Sequence, residues 1–142
     1  MLTSKRLLSI AIIVLAWAAA PASRAEVLIV ANPAVAVSEV SRDDLARIFL
    51  MTKTSLQGAG RVEPVLKKSG PAHEAFLKKY IGRSDFALMT YYRGLLFSGR
   101  GSLPKTFSSD DELVAYISRT KGAIGYVRPS SVNSSVKVLK VK

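Results

Sequence analysis

The segment from Lys67 to His73 brings together residue types that bind anions, in the order Lys-Lys-Ser-Gly-Pro-Ala-His. It lies between an apolar run that predicts a strand and a run with helical periodicity. The first turn of a helix has unpaired N–H groups and the positive end of the helix dipole, and a glycine lets an anion approach the backbone. The sequence therefore predicts an oxyanion site here. Its candidate residues are Lys67, Lys68, Ser69, Gly70, Ala72 and His73.

Each residue type in this segment has its own predicted role. The Ser69 hydroxyl and the backbone near Gly70 and Ala72 donate hydrogen bonds to the anion, and one of the two lysines supplies positive charge. Pro71 suits the first helical turn but removes one N–H donor. The competing interpretation is that Ser69 only caps the helix and that the lysines are solvated. His73 either donates to the anion from the first turn or is an exposed polar residue.

The composition argues against an enzyme and against a bound metal or cofactor. The chain has no cysteine and one histidine, which excludes thiolate zinc sites and cysteine nucleophiles and argues against a multi-histidine metal site or a Ser-His-Asp triad. The acidic residues at 43–44 and 110–112 stand at predicted helix starts, where the helix dipole accounts for them. Short motifs like those of penicillin-recognising serine enzymes occur here in the wrong order. We therefore expect no catalytic residue, no metal and no cofactor.

The first 25 residues predict a secretory signal peptide. A basic start precedes the apolar run Leu7–Ala20, and small residues at positions 23 and 25 precede a predicted cut after Ala25. The run is shorter than the roughly 20 residues of a membrane-spanning helix, and an uncleaved anchor is the alternative. Without cysteine the exported chain cannot be a lipoprotein of the cysteine-anchored kind. The prediction is a periplasmic protein with one domain, residues 26–142.

The charge balance limits the classes of partner. The chain has 21 Lys and Arg against 10 Asp and Glu, a formal net charge of +11, and only three of these basic residues precede Glu26. The basic residues are scattered along the sequence instead of forming one run. An exported protein seldom meets nucleic acid, so we expect none as a partner. An anionic ligand or an anionic membrane surface fits the charge better.

Apolar runs and capping residues predict an α/β fold with the element order β-α-β-α-α-α-β-β. The predicted strands are Glu26–Ala31, Val62–Leu66, Ala123–Val127 and, as a half-solvated edge strand, Val136–Val141. The first predicted helix follows Ser41, and the second runs from Ala72 to about Tyr80. The third follows Ser84, and the fourth runs from the capping box at Ser109–Glu112 to about Thr120.

The third predicted helix contains the pair Tyr91-Tyr92 followed by Arg93, a combination that also occurs in nucleic-acid stacking patches. Helical spacing instead favours a buried stripe for this helix. The predicted core residues are Phe86, Met89, Tyr92 and Leu96.

Several segments resemble the phosphate-type periplasmic solute-binding proteins, whose fold is the type 2 periplasmic binding protein. Leu45–Leu50 with the following Thr-Lys-Thr is similar to the helix and turn around the family's "IFxGxxxxW", and Ser69-Gly70 resembles its Ser-Gly-Thr anion loop. Lys121–Val127 is similar to the family's "pGAIGYV" strand and is the most specific match. Phe97–Gly101 resembles "FtGrG" of short exported members. The chain departs from the family pattern at Met51 for glycine, Val65 for arginine and Pro71 for threonine.

The resemblance implies one lobe of a fold that usually has two: a three-layer unit with a mixed sheet flanked by about four helices. It also implies weak binding of phosphate or another oxyanion, linked to an ABC-type phosphate uptake system. The implied partners are the membrane component of an ABC transporter or another exported protein, and a second copy of the chain is a further candidate. The alternative function is a protein-interaction or accessory domain that keeps the lobe without the ligand.

Overall fold

The computed structural model describes residues 26–142, so the predicted signal peptide at 1–25 lies outside the described residues. The strands are β1 Leu28–Ala31, β2 Glu39–Val40, β3 Ser55–Leu56, β4 Gly60–Arg61, β5 Glu63–Lys67, β6 Lys105–Phe107, β7 Ala123–Val127 and β8 Lys137–Val141. The helices are α1 Arg42–Phe49, α2 Pro71–Phe76, α3 Asp85–Phe97 and α4 Asp110–Arg119. Within residues 26–142, no helix has the length and apolar character that crossing a membrane requires.

Six strands form one mixed sheet in the order β2-β8-β1-β7-β5-β6, and β3 pairs with β4 in a separate hairpin. The strand β5 runs parallel to both β6 and β7, whereas β1 runs antiparallel to β7 and β8. The carboxyl ends of β5, β6 and β7 therefore meet at one edge of the sheet. We call this the carboxyl edge; its last strand residues are Lys67, Phe107 and Val127.

Two apolar clusters lie on opposite faces of the sheet and make the three layers. The larger joins α1, α2 and α3 to the sheet, and the smaller joins α4 to it. Gly125 in β7 allows α4 to pack closely, because a Cβ built there would lie 2.9 Å from the Ile117 side chain and 3.0 Å from Val65. Both clusters are built within residues 27–139. The predicted α/β lobe with a mixed sheet and four helices is confirmed.

Serine caps begin three of the four helices, as the sequence predicts. The caps are Ser41, Ser84 and Ser109, and each hydroxyl accepts a hydrogen bond of 3.1 Å from the N–H three residues on. The Glu112 carboxylate returns to the N–H of Ser108 at 3.3 Å, which completes a capping box at α4. The start of α1 and the start of α4 are therefore fixed by local chemistry.

Other elements differ from the sequence prediction. The strand β8 is not at the edge, because the two-residue β2 pairs with its outer side. The segment between α1 and β5, where the sequence predicts no strand, contains the β3–β4 hairpin, and the sequence does not predict β6. The second helix changes to a π-helical turn over Leu77–Ile81 and ends at Gly82, which has φ 72°.

The buried face of α3 also differs from the prediction. Tyr92 is buried and Met89 is half-buried, but Phe86 and Leu96 are 77% and 49% exposed. The Tyr92 hydroxyl donates to the Phe49 carbonyl at 2.5 Å, and the Tyr91 hydroxyl donates to the carbonyl of Leu50, directly after α1, at 2.6 Å. These bonds turn the tyrosine side of α3 inward. Phe86 and Leu96 face solvent as a result.

Candidate functional site

Three loops leave the sheet at the carboxyl edge, where open α/β sheets bind their ligands. Lys68-Ser69-Gly70 follows β5, Ser108-Ser109 follows β6, and Arg128 follows β7. The N–H of Lys68 donates to the Phe107 carbonyl at 2.9 Å, which joins the first loop to the second. The predicted anion-binding segment thus lies at the part of the fold where a ligand is expected.

The segment Lys68-Ser69-Gly70 forms an open loop before α2, which we call the anion loop. Gly70 has φ 106°, a conformation that favours glycine, and is the residue that precedes the helix. The first helical bond runs from the Glu74 N–H to the Gly70 carbonyl at 3.0 Å. The N–H groups of Ala72 and His73 therefore precede the helical ladder and have no partner within the helix, although both residues are buried.

The interpretation that Ser69 only caps the helix is wrong. Gly70 takes the capping position, and no side chain caps this helix start. Ser69 and Lys68 are both exposed on the loop. Ala72, in contrast, is buried and could offer only its backbone to an anion.

Lys67 does not offer its charge to solvent, which corrects one of the two predicted charge donors. Its Nζ lies 2.5 Å from Oδ1 of Asp110, and the two side chains are 12% and 2% exposed. A lysine held this closely by a carboxylate contributes little to an anion outside the pair. The available positive charge in the loop is that of Lys68.

Asp110 is the centre of the polar contacts at the carboxyl edge. Besides Lys67, its Oδ2 accepts from Arg128 Nε at 3.1 Å and backbone N–H at 3.2 Å, and from the Ser131 hydroxyl at 2.8 Å. Burial raises the pKa of this carboxyl, but its hydrogen bonds to Lys67, Ser131 and Arg128 outweigh that and lower the pKa to about 2. Asp110 therefore ties the ends of β5 and β7 to the start of α4.

The lowered pKa of Asp110 predicts an acid-sensitive contribution to stability. The contribution is complete above the ordinary pKa of 3.8 and disappears as the pH falls through about 2. In urea unfolding at a series of pH values, the stability gap between the wild type and Asp110→Asn should narrow between about pH 4 and pH 2. A gap that stays constant over that range would contradict the assignment.

His73 lies behind the anion loop, and the prediction of an exposed histidine is wrong. It is 1% exposed, and its Nε2 is 2.7 Å from Oδ1 of Asp85 while its Nδ1 bonds the Tyr126 hydroxyl. The Tyr126 oxygen also accepts from the Lys67 N–H at 3.1 Å. An ionised carboxylate only accepts, so Asp85 takes the Nε2–H, and Nδ1 of a neutral imidazole then accepts from the Tyr126 hydroxyl. Both ring nitrogens of His73 thus have protein partners.

The relay Asp85-His73-Tyr126 supports the loop from inside the fold. Burial raises the pKa of the Tyr126 hydroxyl far above its ordinary value, so the hydroxyl keeps its proton. The Tyr126 ring stacks on Phe76 of α2 with 3.9 Å between ring centroids. The relay therefore fixes α2 against the end of β5, where the anion loop begins.

Sequence reasoning missed Asp110, Arg128 and Tyr126 as members of this edge. Asp110 was explained as a helix-start residue, and that explanation holds as well. The parallel pairing of β5 with β6 and β7 is the signal that would have placed the three together. Among the described residues, His, Asp and Glu side chains form no cluster of three that could hold a metal ion.

Solved structures similar to this chain come from phosphate-binding proteins. A Clostridium perfringens protein solved with bound phosphate shares 16% identity at a TM-score of 0.65, over 81% of this chain and 44% of its own. An ABC-type phosphate transport receptor from Vibrio cholerae shares 18% identity at a TM-score of 0.54, over 81% and 45%. PstS from Borrelia burgdorferi shares 13% identity at 0.56, over 82% and 47%.

These similarities establish the fold. The chain has the fold of part of a phosphate-type substrate-binding protein, and it spans less than half the length of the solved structures it matches. Comparison with protein-family models and comparison with curated proteins each find no match.

Proposed function

We propose that this protein is an exported, periplasmic binding protein without enzymatic activity that holds phosphate or a related oxyanion weakly at the anion loop. The observation that carries the proposal is the loop's geometry at the carboxyl edge. Gly70 precedes α2 with φ 106°, and the exposed Lys68 and Ser69 lie on the loop directly before the first turn of this helix, whose N–H groups have no helical partner. The similarity to phosphate-binding proteins supports the choice of anion.

The charges at this edge select α2 over α4 as the anion site. Both helices start at the carboxyl edge, but α4 begins with Asp110, Asp111 and Glu112, which occupy the positive end of its dipole. The first turn of α2 has one acidic residue, Glu74, and Lys68 stands beside it on the loop. An anion is therefore attracted to α2 and repelled from α4.

The proposed affinity is low because the loop is open to solvent. A site that does not enclose its ligand leaves the anion partly hydrated, and salt screens the attraction of Lys68. We propose that an ABC-type phosphate uptake system is the process served, with the membrane component of the transporter or another exported protein as partner. A second copy of the chain could complete the cleft.

A calorimetric titration of the form starting at Glu26 with phosphate and with sulfate tests this function. We expect dissociation constants in the millimolar range, weakened by added salt. Lys68→Ala and Ser69→Ala should each weaken binding by roughly threefold to tenfold, since each removes one contact to the anion. Lys121→Ala is the matched control, because Lys121 is also exposed but precedes β7 at the opposite edge. Equal losses in Lys68→Ala and Lys121→Ala, or no binding by the wild type, would refute the proposal.

A second candidate function is an accessory or protein-interaction domain that has kept the lobe and lost the ligand. Two observations favour it: the pairing of Lys67 with Asp110, and the exposure of Phe86 and Phe97 on α3. An exposed apolar surface of this kind is typical of an interaction site. The titration separates the two candidates, since the second expects no binding of either anion.

A further inference from the structure

The outer face of α3 carries large apolar side chains that the core does not use. Phe86 is 77% exposed, Phe97 is 90% exposed and Leu96 is 49% exposed. Phe86, Arg93 and Phe97 occupy positions i, i+7 and i+11, so they share one side of the helix, and Leu96 flanks them. We call these four residues the α3 ridge.

The residues on and next to the α3 ridge carry net positive charge. Residues 83–102 contain three arginines and one acidic residue. Arg83, just before α3, lies over the Tyr91 ring at 4.8 Å, and Arg93 is on the ridge itself. After the helix, the backbone N–H of Arg100 donates to the Leu95 carbonyl at 3.1 Å. The one acid, Asp85, has an oxygen 2.7 Å from the buried His73. Along the sequence, arginines therefore precede, interrupt and follow the apolar side chains of the ridge.

This arrangement is unfavourable for a second copy of the chain. An antiparallel pair of α3 helices would place Phe86 against Phe97 of the second copy. Arg83 precedes Phe86 by as many residues as Arg100 follows Phe97, so the same pairing would place arginine opposite arginine at both ends. Like charges directly opposite each other oppose association, and this side of α3 has no unengaged carboxylate to compensate.

We propose that the α3 ridge docks on an anionic lipid surface. A helix with aromatic and leucine side chains on one face and basic residues around them lies in the plane of a membrane interface, its apolar side chains inserted and its arginines at lipid phosphates. Charge complementarity selects this occupant. Three arginines accompany a small number of exposed apolar side chains, so the ridge fits a surface that supplies negative charge and a flat apolar boundary together. Docking would hold the protein at a membrane surface, independently of whether the anion loop binds phosphate.

Vesicle co-sedimentation of the form starting at Glu26 tests the proposal. This form keeps both apolar clusters, which are built within residues 27–139. We expect it to bind vesicles of phosphatidylcholine mixed with phosphatidylglycerol at least about tenfold better than phosphatidylcholine alone. The double variant Phe86→Ser and Phe97→Ser should lose about tenfold in binding to the anionic vesicles. Both residues are exposed, so this variant keeps the fold, which circular dichroism verifies.

Two controls make the result specific to the ridge. Arg93→Gln should weaken binding more than Lys121→Gln, which removes the same charge at a distant loop. Lys68→Ala should weaken vesicle binding no more than Lys121→Gln does, whereas lipid phosphates held by the anion loop would make the Lys68→Ala loss the larger.

A tryptophan at the ridge gives a direct readout. The chain has one tryptophan, Trp17, so the form starting at Glu26 has none and Phe97→Trp would be its sole indole. Its emission should shift to shorter wavelength with anionic vesicles and stay unchanged with neutral ones, because the indole enters the interface.

Four results would overturn the proposal. The first is equal binding to both kinds of vesicle, and the second is binding that ignores the phenylalanine substitutions. The third is a dimer in sedimentation equilibrium that dissociates when Phe86 and Phe97 are replaced, which would assign the ridge to a second copy. Absence of vesicle binding would equally exclude lipid and leave an acidic protein as the occupant.

Discussion

Replacing Asp110 with alanine is expected to lower the free energy of unfolding by about 3 kcal/mol, because removing one partner of a buried ion pair leaves the other charge uncompensated. Lys67 is 12% exposed in the wild type, and its Nζ is 2.5 Å from Asp110. The Ser131 hydroxyl and the Arg128 backbone would lose an acceptor as well. Urea unfolding followed by circular dichroism measures the difference.

Asp111 is the matched control for this experiment. It is in the same first turn of α4 and favours the same helix dipole, but it is exposed. Asp111→Ala should therefore cost about 0.5 kcal/mol, the value typical of a charge at a helix N-terminus. Losses of equal size in the two variants would show that Asp110 acts through the dipole alone, contrary to the role derived from its contacts.

Replacing His73 with alanine is expected to lower the free energy of unfolding by about 3 kcal/mol, because it leaves a cavity and polar groups without partners. The ring is 1% exposed and bridges Asp85 of α3 to Tyr126 of β7. Without it the Tyr126 proton has no acceptor inside the fold. Glu74 is the next residue and is exposed, so Glu74→Ala should lower the free energy of unfolding by less than about 1 kcal/mol.

A double-mutant cycle with Tyr126→Phe isolates the bond between the two side chains. The loss of unfolding free energy in the double variant should be smaller than the sum of the losses in His73→Ala and Tyr126→Phe by about 1 kcal/mol or more. Additive effects would mean that the ring fills space without a functional hydrogen bond. The phosphate affinity of the single variants reports whether the relay positions the anion loop, because Tyr126 also holds the Lys67 backbone.

Features that depend on local chemistry were predictable from the sequence. The serine caps at Ser41, Ser84 and Ser109 act within three residues of their partners, so pattern alone identifies them. The central strands β1 and β7 follow from continuous apolar runs that need burial on both faces. The α/β class and the placement of Lys67–His73 between a strand and a helix follow from the same signals.

Features that depend on pairing between distant segments were not predictable. The partners of Asp110, at the start of α4, come from β5 and from the segment after β7, and they meet only because three parallel strands end at one edge. The short β6 has no periodic signal of its own. The exposed Phe86 shows the same limit, since the rotation of α3 is set by two tyrosine bonds to α1 that no single segment encodes.

Amide chemical shifts during a phosphate titration test the central claim most directly. In two-dimensional nitrogen–proton spectra of the form starting at Glu26, the proposal predicts that phosphate moves the amide signals of the anion loop and of Ala72 and His73 the most. The amides of Asp111 and Glu112 at the start of α4 should move little, because the acidic first turn repels the anion. Shifts concentrated at α4, or spread evenly over exposed basic residues, would contradict the assignment of the anion loop as the binding site.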